Sequence, residues 1–451
     1  MEVSVRTSAA VRIGLMAVLM AGLLVPLMMI YGLVSERAGR RAEAVREVSR
    51  QWGEEQTIVG PVLSIGFNVT TTGQDGKTRT FVDRACFLPV VLQVDAEALP
   101  DIRRRGLFEV IVYRAKLRIT GRFAPVSLSQ WRVQPADVVP GSAMLSVGMA
   151  DPRGIAGPIA LTWDGKKGTF VPGAPEVGVG VPGISAPVPL PDTARDVWFS
   201  LELDANGTRE LRFVPVGNDT VVRLASSWPH PSFVGAPLPK DRQVSSAGFT
   251  ASWVVPYYGR SFAPAWALSS VNRDELKTGI ANSAFGVLLM RPIDIYQQTD
   301  RALKYAALFI VMTFVIVFLW EIIYGVLVHP VQYLSVGFAM CMFYLLLLAL
   351  SEHIGFDRAY IAGASANILL IAWYWNWVTR GGWHGVLMGM ILTALYGYLY
   401  LLLRLEDYAL VAGALGLFVM LATVMFLTRK IDWYELKLGK STVITREFRQ
   451  P

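Results

Sequence analysis

Uncharged apolar residues gather in two parts of the chain, and polar positions interrupt them almost everywhere else. Residues 13–34 run 22 positions without a charge. As a helix that stretch is about 33 Å long, enough for a bilayer core of about 30 Å. It is too long for the apolar region of a cleaved signal peptide, and it runs into Ser35-Glu36-Arg37 rather than a small-residue cleavage site. It therefore reads as an uncleaved signal anchor. Five further spans are expected near 302–323, 331–350, 359–378, 384–403 and 408–428. Short connectors part them, among them His329-Pro330, residues 351–358, the segment Thr379-Arg380-Gly381-Gly382-Trp383 and residues 404–407.

Between the two apolar regions the period changes twice. Over 35–59, Ala38, Ala42, Val45, Val48 and Trp52 recur at helical spacing, with Arg41, Glu43, Arg46 and Glu47 mostly between them. That predicts a helical stalk continuing the first span. Beyond Gly60-Pro61 come short alternating or apolar runs at 62–69, 108–123, 197–203, 211–214, 220–224 and 249–255. In the second run Val110, Val112 and Leu117 share the segment with Arg114, Lys116 and Arg118. Asn206-Gly207 is a two-residue hairpin signal between two of the runs. Residues 172–191 are dense in Pro and Gly and predict a long loop or flap. The expected fold is an α-helical membrane protein of six transmembrane helices with a large extracytoplasmic β-rich domain, a sandwich or a curved antiparallel sheet.

Charge sets the orientation. Arg6 and Arg12 precede the first span, and Arg429, Lys430, Lys437, Lys440, Arg446 and Arg449 follow the last. Basic residues mark the cytoplasmic side, and an even number of spans returns the chain to it. The expected layout is a cytoplasmic N-terminus (1–12), the anchor (13–34), the stalk (35–59), a periplasmic β-rich domain (60–300), a five-helix block (301–428) and a cytoplasmic tail (429–451). Trp373, Trp375, Trp377 and Trp383 cluster where an aromatic belt would lie. The chain is 53% hydrophobic and 17% charged with a net charge of +7. Residues 35–300, however, hold 29 Lys and Arg against 26 Asp and Glu, a near balance that gives no footprint for nucleic acid. Cys86 falls in the domain and Cys341 in a predicted span, so the two cannot pair and no CxxC site exists.

The candidate chemistry is sparse. Gly178-Val179-Gly180-Val181-Pro182-Gly183 spells a dinucleotide-binding fingerprint, but Pro182, Pro187, Pro189 and Pro191 forbid the helix it needs. Ser351, His353 and Asp357 suggest a catalytic triad only by letter, because Ser351 and His353 at i,i+2 point apart on a helix. Glu352, His353, Asp357, Glu406 and Asp407 lie on the two outward connectors and form one candidate polar cluster. The competing bland reading is that these groups solvate short turns. Tyr396, Tyr398 and Tyr400, with Trp266 and Tyr257-Tyr258, would suit a lipid or glycan groove but more often serve as core or interface anchors. Lys304, Glu321 and Arg404 stay near span ends, which weighs against a coupled transporter. Neither a catalytic residue, a cofactor nor a metal site is expected. The expected partners are the bilayer itself and an envelope lipid, glycan or protein.

Several segments occur together in order. They are Trp52-Gly53, Gln56 and Gly60-Pro61-Val62-Leu63, then Phe213-Val214-Pro215, Ser227-Trp228-Pro229, Pro231-Ser232-Phe233 and Gly248-Phe249 with Trp253. The membrane block adds Leu303-Lys304-Tyr305, His329-Pro330-Val331-Gln332-Tyr333, Ser351-Glu352-His353-Ile354-Gly355-Phe356, Glu406-Asp407-Tyr408-Ala409-Leu410 and Asp432-Trp433-Tyr434. Over essentially its whole length the chain resembles the CreD family of bacterial inner-membrane proteins. It departs from the family pattern at Ile65-Gly66-Phe67, where an Ile-Pro is expected, and at Leu327-Val328, where a basic residue is expected before His329-Pro330. The resemblance implies a role in cell-envelope integrity, expression under the Cre two-component system, and links to colicin tolerance and β-lactam response. The reading that follows is a non-enzymatic envelope protein. The alternatives are a lipid or small-molecule transporter, and an envelope-modifying enzyme with polar groups converging on Glu352 and His353.

Overall fold

A computed structural model describes residues 9–72, 78–173, 177–178, 180–191, 194–291, 295–379, 381–405 and 408–429. The chain divides into two compact units, Arg41–Pro292 and the remainder. A single 44-residue helix, α1 (Ala9–Trp52), begins in the second of these and ends in the first.

In the Arg41–Pro292 unit the described strands form two sheets, one of nine strands and one of eight. All six sequence runs named above fall on strands, except that the run 211–214 outlasts its strand by Val214. The eight-stranded sheet is built on the hairpin Val91–Arg105 and Phe108–Phe123, flanked by Val197–Thr208 and Asp219–Ser226. Period-two alternation buries Phe199, Leu201, Leu203 and Ala205 and leaves Trp198 and Glu202 outside. The nine-stranded sheet centres on Gln56–Thr72, paired with Thr78–Phe87 and Met144–Met149. Neither sheet is wholly antiparallel. Gln56–Thr72 runs parallel to Glu210–Phe213, and Asp219–Ser226 runs parallel to Val91–Arg105. Residues of both sheets share one buried core, where Trp253 of one meets Phe285 of the other at 5.4 Å between ring centroids. A ten-residue helix, α2 (Arg273–Asn282), buries Leu276 and Ile280 against it.

Two local expectations fail in this unit. Asn206-Gly207 is not a hairpin turn, because Val197–Thr208 continues through it with Gly207 opposite Tyr113. The glycine is there for space: a Cβ at Gly207 would lie 2.3 Å from the Tyr113 hydroxyl. The chain turns instead at Arg209, with φ +60°, and Glu210–Phe213 joins the other sheet. Residues 172–191 are not all loop. Gly183–Pro187 is a strand paired with Met144–Met149, so the glycine fingerprint opens into a strand where a dinucleotide site requires a helix.

The segment after α1 is tied down by a buried polar network. Gln56 Nε2 donates to the carbonyls of Asp151 and Asn206 at 2.9 and 3.1 Å, and Thr208 Oγ1 donates to the Gly53 carbonyl at 2.7 Å. The Glu54 N–H donates to Asp151 Oδ2 at 3.1 Å, and Arg153 Nε lies 2.8 Å from Oδ1. Burial pushes the Asp151 carboxyl up, but Arg153 and that N–H outweigh it and hold the group below the usual carboxylate range. The Trp52 indole donates to the Tyr113 carbonyl at 3.2 Å and lies under the Arg103 guanidinium.

The other unit adds α3 (Ile295–Tyr324), α4 (Pro330–Ile354), α5 (Phe356–Thr379), α6 (His384–Arg404) and α7 (Ala409–Thr428). Among the described residues five helices are long and apolar enough to cross a membrane, namely α1, α3, α4, α6 and α7. The expected sixth, α5, is 24 residues long. Asp357-Arg358, Asn367, Asn376 and four closely spaced aromatics from Trp373 to Trp377 dilute its hydropathy. Sequence signals set the bounds of α4. His329 accepts from the Val331 N–H through Nδ1, Gln332 reaches back to the His329 N–H at 2.8 Å, and Pro330 takes the first helical position. Gly355, with φ +80°, ends the helix and donates to the Ser351 carbonyl at 3.1 Å.

Candidate functional site

The helical unit places two matched sets of polar side chains on α1, α3 and α4. In one, the Glu321 carboxylate of α3 pairs with Arg12 of α1 and accepts from the Tyr333 hydroxyl of α4 at 3.0 Å. In the other, the Glu352 carboxylate of α4 lies 3.8 Å from Arg37 of α1 and accepts from the Tyr296 hydroxyl of α3 at 2.9 Å. Each set takes its Arg from α1, its Glu from one of the antiparallel pair α3 and α4, and its Tyr from the other. Arg12 and Arg37 are separated by about 37 Å of helix, so the sets sit one bilayer core apart. Glu321 is 1% exposed. A carboxylate that enclosed persists as a charge only with a cation and donors around it. Both sets escape sequence reading because their partners lie far apart: Arg12 and Glu321 are 309 residues distant. Arg12 passes for an orientation signal, Glu321 for a stray charge at a span end, and Tyr296 and Tyr333 for ordinary aromatics.

The candidate polar cluster is arranged differently from five groups on loose connectors. Helix α4 runs to Ile354 and α5 starts at Phe356, so Gly355 alone separates them. Glu352 and His353 therefore occupy the last turn of α4, and Asp357 the first turn of α5. Glu352 faces Arg37 and Tyr296, as above. Asp357 faces α6, accepting from the Tyr400 hydroxyl at 3.1 Å and lying 2.6 Å from Arg404. His353 is exposed. Glu406 and Asp407 lie outside the described residues. Among the described residues, no three His, Cys, Asp or Glu side chains gather as a metal site. Arg37 and Arg404 interleave with the acids, which the connector reading missed.

Of the other aromatic candidates, Tyr396, Tyr398 and Trp266 are spent on packing. Tyr396 Oη accepts from Asn367 at 2.6 Å, its carbonyl accepts from Tyr360 at 2.7 Å, and Tyr398 donates to the Ala412 carbonyl at 2.5 Å. These bonds join α5, α6 and α7. In the domain, the Trp266 indole donates to the Val177 carbonyl at 3.1 Å, while Tyr258 is 92% exposed. Trp373, Trp377 and Trp383 are exposed as a belt requires, but Trp375 is wholly buried against Trp320.

Beside the Arg12–Glu321 pair lies a cavity of about 450 Å³. Arg12, Glu321, Tyr333 and His329 line its polar part, and Leu15, Met16 and Leu19 of α1 line its apolar part. It lies at the ends of the spans, around the α3–α4 turn.

Bilayer-length apolar helices with a two-sheet domain inserted after the first define a multi-pass membrane protein carrying a large β-rich domain. Residues 8–434 match the family model described as inner membrane protein CreD. Inner membrane protein CreD of Escherichia coli (strain K12) is 34% identical over 427 residues, covering 93% of this chain and 92% of that protein. The chain belongs to the CreD family of inner-membrane proteins. Among solved structures, an M1 zinc metallopeptidase from Deinococcus radiodurans is 14% identical with a TM-score of 0.20, covering 38% of this chain and 41% of its own. Yeast LTA4 hydrolase in complex with bestatin is 8% identical, also with a TM-score of 0.20, covering 64% and 51%. Scores that low support neither a shared fold nor a shared activity.

Proposed function

We propose that this CreD-family protein is a non-enzymatic scaffold for the cell envelope, whose β-rich domain lies outside the cytoplasm and binds or organises an envelope component. The observation that carries this is the doubled Arg–Glu–Tyr arrangement. The domain is inserted between α1 and α3, and those two helices are fastened to α4 near both edges of the bilayer core. Such bracing suits an anchor that bears load. A coupled transporter instead keeps ionisable groups near the midplane and a gate free to move. An envelope-modifying enzyme would need a free base or nucleophile around Glu352 and His353, whereas Glu352 is committed to Arg37 and Tyr296.

The reading includes α5 as a sixth crossing. Its 24 residues span about 36 Å, and its charges within the helix are Asp357 and Arg358 at one end. Six crossings put both termini in the cytoplasm and residues 35–300 in the periplasm. At the periplasmic end, Glu352, His353, Asp357, Glu406 and Asp407 then form one contact surface. The Asp357–Arg404 pair supports this, because it draws the end of α6, two residues before Glu406, to the start of α5.

Replacing residues 56–291 by a flexible linker tests the scaffold reading in cells lacking the native protein. The shortened chain should reach the membrane at wild-type levels and fail to protect against envelope stress. Full protection by the helices alone would instead make the membrane block the working part.

A further inference from the structure

From the cavity beside Arg12 and Glu321 we infer a binding site for one zwitterionic phospholipid, held by an ethanolamine phosphodiester headgroup, from the leaflet at that end of the spans. The cavity's volume of about 450 Å³ falls within the range of small-molecule sites, about 300–1,000 Å³. Its wall is mixed. Arg12, Glu321, His329 and Tyr333 line it beside the apolar Leu327, Val328 and Pro330 of the α3–α4 turn, and Leu15 and Leu19 continue along α1 toward the bilayer centre. A polar head followed by an apolar groove on a membrane helix is the shape of an amphiphile.

The charges select the headgroup. Arg12 and Glu321 neutralise each other, so a lone anion or a lone cation would match one partner and repel the other. A phosphodiester joined to an ammonium brings both signs. Arg12 has five N–H donors, more than its pairing with Glu321 can use, and the remainder suit phosphate oxygens. The Glu321 carboxylate offers about four lone-pair sites, of which Arg12, Tyr333 and the Val328 N–H take one each, leaving one for an ammonium. His329 adds a donor. Its Nδ1 accepts from the Val331 N–H at 3.3 Å, which puts the proton of the neutral ring on Nε2. The same end of α3 carries Tyr324, packed 6.1 Å from the exposed Trp383, an aromatic pair of the kind that settles at headgroup level.

Native mass spectrometry of the full chain in mild detergent tests this, with dioleoyl phosphatidylethanolamine or dioleoyl phosphatidylglycerol added as probes. One phosphatidylethanolamine should remain bound, and it should be retained at least about tenfold better than phosphatidylglycerol, the effect of one charged hydrogen bond. Glu321→Gln, which removes the charge facing the ammonium, should abolish the preference, and Arg12→Ala should weaken retention of both lipids, whose shared phosphate Arg12 would bind. Because that change also strands the buried Glu321, Leu15→Trp serves as a second variant, filling the apolar part while leaving the ion pair intact. It should lose the bound lipid but not the fold. Equal retention of the two lipids by the wild type, preference for phosphatidylglycerol, or undiminished binding by Leu15→Trp would each overturn the assignment.

Discussion

Gly53 has φ +142°, and a Cβ there would lie 2.6 Å from the Asn206 carbonyl oxygen. Side chains rarely adopt that backbone, and the obstacle is main chain that has no flexible end to swing aside. Gly53→Ala should therefore cost the domain about 2–4 kcal/mol. Gly157→Ala, where nothing stands within 4 Å, should change little. Urea denaturation of the 41–292 fragment checks both, and equal midpoints for the two variants would remove Gly53 from this role. The Trp52-Gly53 and Gln56 signature was legible as a family mark, but its work was not. Gln56 meets Asp151 and Asn206 at separations of 95 and 150 residues, and no local pattern announces partners that distant. By contrast, His329-Pro330-Val331-Gln332 and Gly355 carry their own explanation. Capping is chemistry between near neighbours, which a sequence displays.

Among elements, legibility followed the strength of the local period. The run 108–123 alternates from Tyr113 to its end, after four consecutive buried residues at 110–113, and is a strand with those bounds. Its partner Val91–Arg105 also buries every second residue from Leu92 to Ala98, yet Pro100 and the three arginines at 103–105 argue against a strand when the chain is read alone. Pairing with Phe108–Phe123 overrides them. Asn206-Gly207 misled for the converse reason, since a good turn dipeptide was conscripted to make room for Tyr113. The contact surface proposed for the periplasmic end belongs to this scale, because it depends on two helix junctions meeting. His353→Ala and Glu406→Ala, made singly and together, should give losses in an envelope-stress assay, at equal protein levels, that do not add. Strictly additive losses, or a double variant that behaves as wild type, would return these residues to solvated turns.

For the whole molecule the decisive question is parity. An odd number of crossings leaves the two ends of a chain on opposite sides, and an even number leaves them together. The basic residues Arg6 and Arg12, ahead of the apolar stretch 13–34, and those after α7 satisfy the positive-inside preference at both ends only if α5 crosses as well. With five crossings, one basic segment would face the periplasm. Single cysteines placed at positions 258 and 440 discriminate between the two arrangements. Tyr258 is 92% exposed in the domain, and Lys440 lies in the basic tail. Neither native thiol should interfere: Cys341 is buried, and Cys86 is buried with its thiol pushed up to about 12, so little of it is the reactive thiolate at neutral pH. A membrane-impermeant maleimide applied to intact cells should label position 258 and should reach 440 only after lysis. Labelling of 440 from outside would mean that α5 does not cross, and that the tail shares the side proposed for the domain.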